Sequence, residues 1–217
     1  MMLSQRRLAA NSGPAVTILR LAVATPVRAE TPEYRFELTP TLGYRFGGEF
    51  EEVDGDTTVD LDDSSSFGLI LNGQDARNTQ WEVYYARQAT SADTATVPGL
   101  GAETDLELHY LQVGGTYRGS GDRVKPFLSA GFGGTHISPD ISTLDSETYW
   151  SFSIGTGLQF YTSERWGLRL EGRGIGTLVD TDSALFCVSD SGAVCAFRIE
   201  GRVLWQFETF AGVTFRF

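Results

Sequence analysis

The chain has 217 residues, 25 of them glycine, and a formal net charge of −11 at pH 7. This length suits a single domain, and the acidity argues against a nucleic-acid partner, which needs a basic surface. No run of about 18 apolar residues occurs, so a helical membrane span is excluded. Lysine occurs once, at position 125, whereas a soluble β-protein of this size would cover its exterior with lysine and glutamate.

The first 29 residues predict an export signal. Arg6 and Arg7 give a basic start, and residues 16–27 are mainly apolar. We therefore expect a cleaved signal peptide at 1–29 and a mature barrel domain at 30–217. Cleavage would remove four arginines and no acidic residue, which takes the net charge from −11 to −15. The alternative is a disordered tail or a misassigned start codon.

Segments in which apolar and polar residues alternate recur along the chain, and successive side chains of a strand point to opposite faces. They predict eight strands, near residues 34–46, 66–74, 79–90, 104–118, 125–137, 147–162, 167–179 and 203–217. The links between them alternate between long and short, beginning and ending with a long one. Bacterial outer-membrane barrels have short periplasmic turns and longer outer loops. The pattern therefore predicts an all-β fold, an eight-stranded antiparallel up-and-down transmembrane β-barrel with both ends periplasmic.

Three local features refine this prediction. The phase of the fourth strand is ambiguous at residues 111–113, a pattern that allows a bulge there. Pro139 directly follows Ser138, which predicts that the fifth strand has ended there. The four tryptophans lie near predicted strand ends, where they would join aromatic girdles at the lipid–water boundaries. They are Trp81, Trp150, Trp166 and Trp205.

Two of the long links have a distinctive composition. The first contains eight acidic residues: Glu49, Glu51, Glu52, Asp54, Asp56, Asp60, Asp62 and Asp63. We expect a solvated acidic loop, because the spacing does not match a calcium-binding loop; a divalent-cation site is the alternative. The last link contains Cys187 and Cys195, which would close a small loop by a disulfide in an oxidising compartment. No metal site and no cofactor is predicted.

The closing strand places aromatic and aliphatic residues on one face and ends on phenylalanine. These residues are Trp205, Phe207, Val213, Phe215 and Phe217. Such a strand resembles the C-terminal strand of bacterial outer-membrane barrels, which implies that these five residues form an assembly signal for the barrel-assembly machinery. The stretches KPFLSAGFGG (125–134) and SIGTGLQFYTSERWGLRL (153–170) resemble opacity-type barrels.

Together these segments resemble the small eight-stranded outer-membrane β-barrel superfamily, which includes the membrane domain of outer-membrane protein A. The resemblance covers residues 34–217. It implies a location in the outer membrane of a Gram-negative cell, with lipid and lipopolysaccharide as surroundings. It specifies the fold far better than the function.

Closure of the sheet puts the apolar faces against lipid and the polar faces inward. The charged residues on the polar faces are Arg35, Glu37, Glu82, Glu107, Arg169, Glu171, Arg173, Arg202 and Glu208. In a narrow barrel these charges must pair, because an isolated buried ion is very costly. An eight-stranded barrel is just wide enough for side chains to fill it. We therefore expect a lumen plugged by an ion network; a charged constriction in a small pore is the alternative.

A lipid A-modifying hydrolase is a third hypothesis. His136, Ser138 and Glu147 offer a Ser–His–acid set. The resemblance does not support it, because the His-x-Ser pair of lipid A deacylases lies near the C-terminus, where this chain has Gly172 and Arg173. We predict no enzymatic activity and no catalytic residue. The expected role is a surface protein that contributes to envelope integrity or adhesion through four outer loops.

Overall fold

The computed structural model describes residues 35–51, 58–93, 103–139, 146–179, 187–188, 194–195 and 203–217. Twelve strands lie in these ranges: β1 (Phe36–Phe46), β2 (Glu49–Glu51), β3 (Thr58–Asp60), β4 (Ser64–Gln74), β5 (Thr79–Asp93), β6 (Glu103–Arg118), β7 (Val124–Pro139), β8 (Glu147–Tyr161), β9 (Trp166–Leu178), β10 (Cys187–Val188), β11 (Val194–Cys195) and β12 (Val203–Arg216). No helix in the described part of the chain is long and apolar enough to cross a membrane.

The eight long strands form one closed antiparallel barrel in the order β1-β12-β9-β8-β7-β6-β5-β4. Each strand pairs with the next long strand in the sequence, and β12 closes the sheet against β1. The predicted up-and-down barrel is therefore confirmed, and the predicted strand ends differ from the observed ones by no more than three residues. The short strands form two small hairpins, β2–β3 and β10–β11, in the first and last long links.

The two ends of the barrel differ in the length of their connections. Short turns at 75–78, 119–123 and 162–165 join the strands at one end. The start of β1 lies at this end too, because the Phe36 amide donates to the Phe217 carbonyl over 3.0 Å. Since short turns are periplasmic in such barrels, this end faces the periplasm and the long links face outward.

Strand alternation sorts the side chains into an apolar outer wall and a polar inner wall. Leu42, Trp150 and Ile154 are each more than 60% exposed on the outside, whereas Arg45 and Arg169 are completely buried inside. This is the reverse of a water-soluble barrel, and it fits a wall that faces hydrocarbon. The barrel strands have 11 to 16 residues, enough to span a bilayer when tilted, which takes about 9–11.

Aromatic residues collect on the outer wall at both ends of the barrel. Each of the four tryptophans is exposed there and contacts a phenylalanine, in the pairs Phe36–Trp81 and Trp166–Phe215 at the periplasmic end and Phe132–Trp150 and Phe152–Trp205 toward the outer end. This placement agrees with the predicted girdles, which mark the two lipid–water boundaries.

Two local predictions are wrong. No bulge interrupts β6, whose pairing with β5 is continuous from Tyr117 to Glu103. The apparent change of phase has another cause. Toward the outer end of β6 the inward side chains are apolar and the outward ones are polar, so that Leu108 points inward and His109 points outward. Strand β7 also does not end at Ser138 but continues through Pro139.

Proline is tolerated at the end of β7 because of where the neighbouring strands stop. The ladder between β7 and β8 ends with Ile137 opposite Glu147. Pro139 therefore has a strand on one side only, where it lies opposite Leu106. The missing N–H of proline costs little at a strand end with an open edge.

Candidate functional site

The centre of the lumen holds two arginines and two glutamates in mutual contact. Strand β9 contributes Arg169, Glu171 and Arg173, which share the inner face because they lie two residues apart; Glu82 reaches them from β5. The Arg169 guanidinium lies 2.9 Å from Glu82 and 2.6 Å from Glu171, and that of Arg173 lies 2.6 Å and 2.8 Å from the same carboxylates. The charges balance, which satisfies the condition for burying ions at acceptable cost.

Neutral groups complete this central cluster. The Asn72 carboxamide accepts from Arg169 at 3.1 Å, Thr116 donates to Glu82 at 2.7 Å, and Ser129 donates to Glu171 at 2.7 Å. Gly155 makes room for the Glu171 carboxylate, because a Cβ there would collide with it. These hydrogen bonds and the close packing hold the four charged side chains in place.

A second ion pair lies nearer the outer end. Arg45 of β1 donates to Glu208 of β12 at 3.0 Å, and the two residues face each other in the strand register. The Tyr84 hydroxyl donates to Glu208 at 2.5 Å, and the Ser66 hydroxyl also contacts this carboxylate. The Arg45 guanidinium carbon lies 4.0 Å from the centre of the Tyr110 ring, a cation–π contact.

A cluster of buried apolar side chains, the apolar cap, lies in the lumen above this pair. Its buried members include Leu61, Leu106, Leu108, Ile137, Tyr149, Val179 and Leu204. Leu61 comes from the first long link, and its amide donates to the Gly48 carbonyl at 2.9 Å. Gly48 has a φ of +123°, which side chains rarely adopt, and a Cβ there would meet Leu61. The two conditions explain why glycine occupies this turn.

The periplasmic mouth holds a third group of charged side chains. The Glu37 carboxylate lies 3.2 Å from nitrogens of both Arg118 and Arg216 and accepts from the Tyr161 hydroxyl at 3.2 Å. Lys125 approaches the same tyrosine, with its Nζ 5.5 Å from the ring centre. Glu37 and Tyr161 thus connect side chains of several strands at this end of the barrel.

Most of the predicted network residues line the lumen, but some lie elsewhere. Those inside are Glu37, Glu82, Arg169, Glu171, Arg173 and Glu208. Arg35 is exposed before the start of β1, and Glu107 points outward, so for these two the prediction needs correction. Glu107 points outward because the polar side chains in the outer part of β6 lie on the outer wall. Arg202 lies outside the described residues.

Three arginines of the lumen were missed by the sequence-based prediction. They are Arg45, Arg118 and Arg216, and each lies in the inner phase of its strand. Arg45 lies an even number of residues from Glu37 in β1, and Arg216 an even number from Glu208 in β12. Alternation within a single strand was therefore enough to predict that both arginines point inward. To predict that Arg118 points inward, the alternation of β6 has to be followed without a bulge at residues 111–113.

Glu107 belongs to a polar group on the outer wall. Arg87 donates to both of its carboxylate oxygens, at 2.6 and 2.8 Å, and His109 Nε2 lies 2.6 Å from one of them. The Tyr85 hydroxyl lies 2.9 Å from His109 Nδ1. This group lies nearer the outer end than the row that contains Leu111 and Trp150.

The residues considered for a hydrolase do not form one site. His136 and Ser138 point outward, and His136 Nδ1 lies 2.8 Å from the Thr148 hydroxyl. Glu147 points inward and contacts the Tyr149 hydroxyl. Among the described residues, no group of three or more His, Cys, Asp or Glu side chains is arranged to hold a metal ion.

Other predicted features lie partly outside the described residues. Of the acidic loop, Glu52, Asp54 and Asp56 are not described. Cys187 and Cys195 face each other in the backbone register of β10 and β11; the disulfide stays a prediction. The five residues of the assembly signal, Trp205, Phe207, Val213, Phe215 and Phe217, all lie on the lipid-facing side of the closing strand.

The outer wall has two shallow apolar depressions, of about 680 and 690 Å³. Both lie where β1, β12 and β9 meet, and they share Leu42, Leu170 and Ala211. They arise because small residues such as Ala211 sit between larger ones.

A closed barrel with an apolar belt, two aromatic girdles and a polar, filled lumen defines an integral protein of the bacterial outer membrane. The sequence matches the family profile "Outer membrane protein beta-barrel domain" over residues 15–189. The chain therefore belongs to this family, and its location is the cell outer membrane. No curated protein matches the sequence.

Solved structures share the fold. Neisserial surface protein A (NspA) is 16% identical, with a TM-score of 0.56 over 84% of this chain and 97% of that one. The outer membrane protein OprG from Pseudomonas aeruginosa is 12% identical, with a TM-score of 0.55 over 83% and 95%. At these identities the likeness concerns the fold alone.

Proposed function

We propose that this protein is a non-conducting, non-enzymatic outer-membrane barrel that contributes to envelope integrity or to adhesion through its outer loops. The observation that supports the proposal is the filled lumen. Two ion clusters, the mouth cluster and an apolar cap occupy it from the periplasmic to the outer end. Such a barrel can interact with its surroundings through its outer wall and its loops, but it provides no passage for solutes.

The narrow pore is the second candidate, since the same charges would make a selectivity device if the side chains left a water path. Two features count against it. The central arginines and glutamates are each at most 4% exposed, and an apolar cluster stands in series with them. Ions would have to break four contacts of 2.6–2.9 Å and then pass the buried apolar side chains.

Planar-bilayer conductance of the refolded chain 30–217 tests this proposal. We expect no discrete openings from protein whose insertion is proved by a heat-dependent shift on detergent gels. Reproducible openings whose ion selectivity changes in Arg173→Ala would overturn the plug and promote the pore. The matched control is Arg77→Ala, an exposed residue of a periplasmic turn that cannot alter a lumen filter.

Loop replacement tests the surface role. Residues 52–57 of the first long link and 189–193 of the last can be exchanged for Gly-Ser linkers while the strands are kept. We expect unchanged membrane insertion, with a loss of attachment to surfaces or an increased sensitivity of the cells to detergent. If neither property changes when both loops are replaced, the proposed role of these loops is wrong.

A lipid A hydrolase is the distant third candidate. The inward position of Glu147, opposite to His136 and Ser138, argues against it. Measurable acyl-hydrolase activity that His136→Ala abolishes would reverse this judgement.

The proposed partners are lipopolysaccharide around the outer wall and the barrel-assembly machinery, which would bind β12. Deletion of Phe217 should slow assembly, because it removes the last aromatic residue of the proposed signal.

A further inference from the structure

We propose that the outer wall of β4, β5 and β6 binds the polar headgroups of the outer leaflet at a height where the opposite wall contacts acyl chains, so that the membrane is thinner beside these three strands. This inference goes beyond the proposed function, because it assigns an effect on the surrounding lipid to the wall of the barrel rather than to its loops. It stands on the height of the apolar belt and on the contacts and exposure of one outward polar group.

The register of the strands allows heights on different sides of the barrel to be compared. At the periplasmic end neighbouring strands begin opposite each other, as Thr79 does opposite Tyr117 and Trp166 opposite Phe215. The number of residues from the periplasmic end of a strand is therefore a measure of height. Each residue adds about 2.5 Å along the barrel axis when the strands are tilted by about 40°.

At the same height, the two sides of the barrel differ in their outward residues. Eight residues from the periplasmic end of β5 the outward residue is Arg87. Nine residues from that end it is Ser65 in β4 and His109 in β6. Also nine residues from the end, it is Phe152 in β8 and Phe207 in β12. Polar groups on one side thus lie at the height of aromatic groups on the other.

The apolar belt is correspondingly shorter beside β6 than beside β8. Its large outward residues extend from Tyr117 to Leu111 in β6 and from Phe160 to Trp150 in β8. These ranges correspond to about 15 Å and about 25 Å along the barrel axis. In β5 the outermost such residue is Tyr85, only six residues from the periplasmic end. Because the belt of an outer-membrane barrel is about 25 Å tall, β8 matches a membrane of ordinary thickness and β6 does not.

A tilt of the whole barrel does not remove this difference. Tyr117 of β6 and Phe215 of β12 point outward on opposite sides of the barrel, each one residue from the periplasmic end of its strand. The inner boundary of the belt is therefore level. A tilt that lowered the outer boundary on one side would displace the inner boundary by the same amount. Thinning of the bilayer is the usual response to a belt that is too short.

The polar group beside β5 and β6 is suited to headgroups and water. Arg87 donates to both oxygens of Glu107, and His109 Nε2 lies 2.6 Å from one of them. The side chains of Arg87 and Glu107 are 52% and 38% exposed. Charges in contact with acyl chains are costly, whereas headgroups and their water solvate both signs. The group contains both signs, so it does not require a headgroup of one particular charge.

The residues above this group favour lipid headgroups over a protein partner. A protein interface buries aromatic or other large apolar side chains at its centre. The outward side chains of β5 and β6 nearer the outer end are instead small or acidic: Ala89, Ser91, Glu103, Asp105 and Glu107. Such a surface remains in contact with water, as it would among headgroups.

Amide relaxation in nanodiscs measures the boundary in the wild-type protein. A soluble gadolinium chelate reports access from water, and a spin label at the end of an acyl chain reports contact with hydrocarbon. In phosphatidylcholine discs, we expect the chelate to broaden the amide signals of Arg87 and His109 several-fold more than those of Phe152 and Phe207. The acyl-chain label should give the reverse order. Equal broadening of the four signals by each reagent would overturn the proposal.

Apolar substitution tests whether the polar group causes the thinning. In the triple variant Arg87→Leu, Glu107→Leu and His109→Leu, the belt beside β5 and β6 is extended, so chelate broadening at positions 87 and 109 should fall to that of Phe152. The matched control is Arg77→Leu in an exposed periplasmic turn, which should keep the wild-type pattern. A triple variant that also kept this pattern would overturn the proposal. The wild-type measurement decides the question by itself if the triple variant does not fold.

Two other arrangements would give different patterns in the same discs. A protein partner or a second copy of the chain on β4–β6 would protect Arg87 and His109 from both reagents. A tilted barrel would broaden the signals of Tyr117 and Phe215 unequally with the chelate. Either result would overturn the proposal. None of these measurements depends on conductance, so the failure of this inference and the failure of the proposed function can be distinguished.

Discussion

The centre of the lumen and its periplasmic mouth both hold ion pairs of arginine and glutamate, but these pairs are buried to different degrees. At the centre two arginines face two glutamates, all at most 4% exposed. At the mouth Arg118 and Arg216 contact Glu37, and the Arg216 side chain is 21% exposed. The two regions therefore differ in how far water can reach their charges.

Burial decides how much an unpaired charge costs in each region. In the buried centre an unpaired ion would cost several kcal/mol, so every charge there needs a partner. At the partly exposed mouth water lowers that cost. Substitutions that alter the balance in each region should therefore have different consequences.

Removal of a central carboxylate should have the largest effect. In Glu82→Ala, two buried arginines lose half of their counter-charge, and we expect the free energy of unfolding to fall by about 3–5 kcal/mol. Urea titration of the refolded protein in detergent, followed by tryptophan fluorescence, measures this. Gln80→Ala on the same wall of β5 is the control without charge. A loss below about 1 kcal/mol would mean that water reaches the centre.

The apolar cap should respond next most strongly. Leu108 is completely buried in it, and Leu108→Ala should cost about 2–4 kcal/mol through the lost transfer energy and the cavity. The same titration measures the loss. Leu42→Ala, on the outer wall, is the matched control and should cost less, because lipid fills the space that the shorter side chain leaves. Equal losses would contradict a packed cap.

At the mouth, Glu37→Gln should have a smaller effect. The amide keeps the size of the buried side chain but removes the negative charge, so we expect a loss of about 1–3 kcal/mol in the free energy of unfolding. The same urea titration measures the loss, and Arg77→Gln, an exposed residue of a short turn, is the control. An unchanged free energy of unfolding would mean that water replaces the contacts of Glu37.

Much of this architecture could be predicted from the sequence. Alternation defined the strands, and the alternating link lengths defined the topology, because both follow from local constraints on a spanning barrel. The same alternation identified six lumen residues, among them the central four. Alternation could not give the position of each residue along the barrel axis, because that position depends on the register between strands.

The errors arose because the position of each residue along the barrel axis was not known from the sequence. Glu107 was assigned to the lumen on the assumption that each strand keeps one polar face throughout its length. In the outer part of β6 the outward residues Glu107 and His109 are polar, whereas Leu108 enters the cap. The grouping of Arg118, Lys125 and Arg216 at the mouth could not be predicted for the same reason, since these residues come from different strands.

The smallest effect is expected on the outer wall, where Arg87 and Glu107 form a bidentate pair open to solvent. Both charges are hydrated whether or not they are paired, so the pair adds little to stability. Arg87→Gln should leave the unfolding midpoint of the detergent-solubilised barrel unchanged within error. A clear fall in the midpoint would show that this part of the wall is covered by lipid rather than water, and the outer boundary of the apolar belt would have to be moved above the row of His109 and His136.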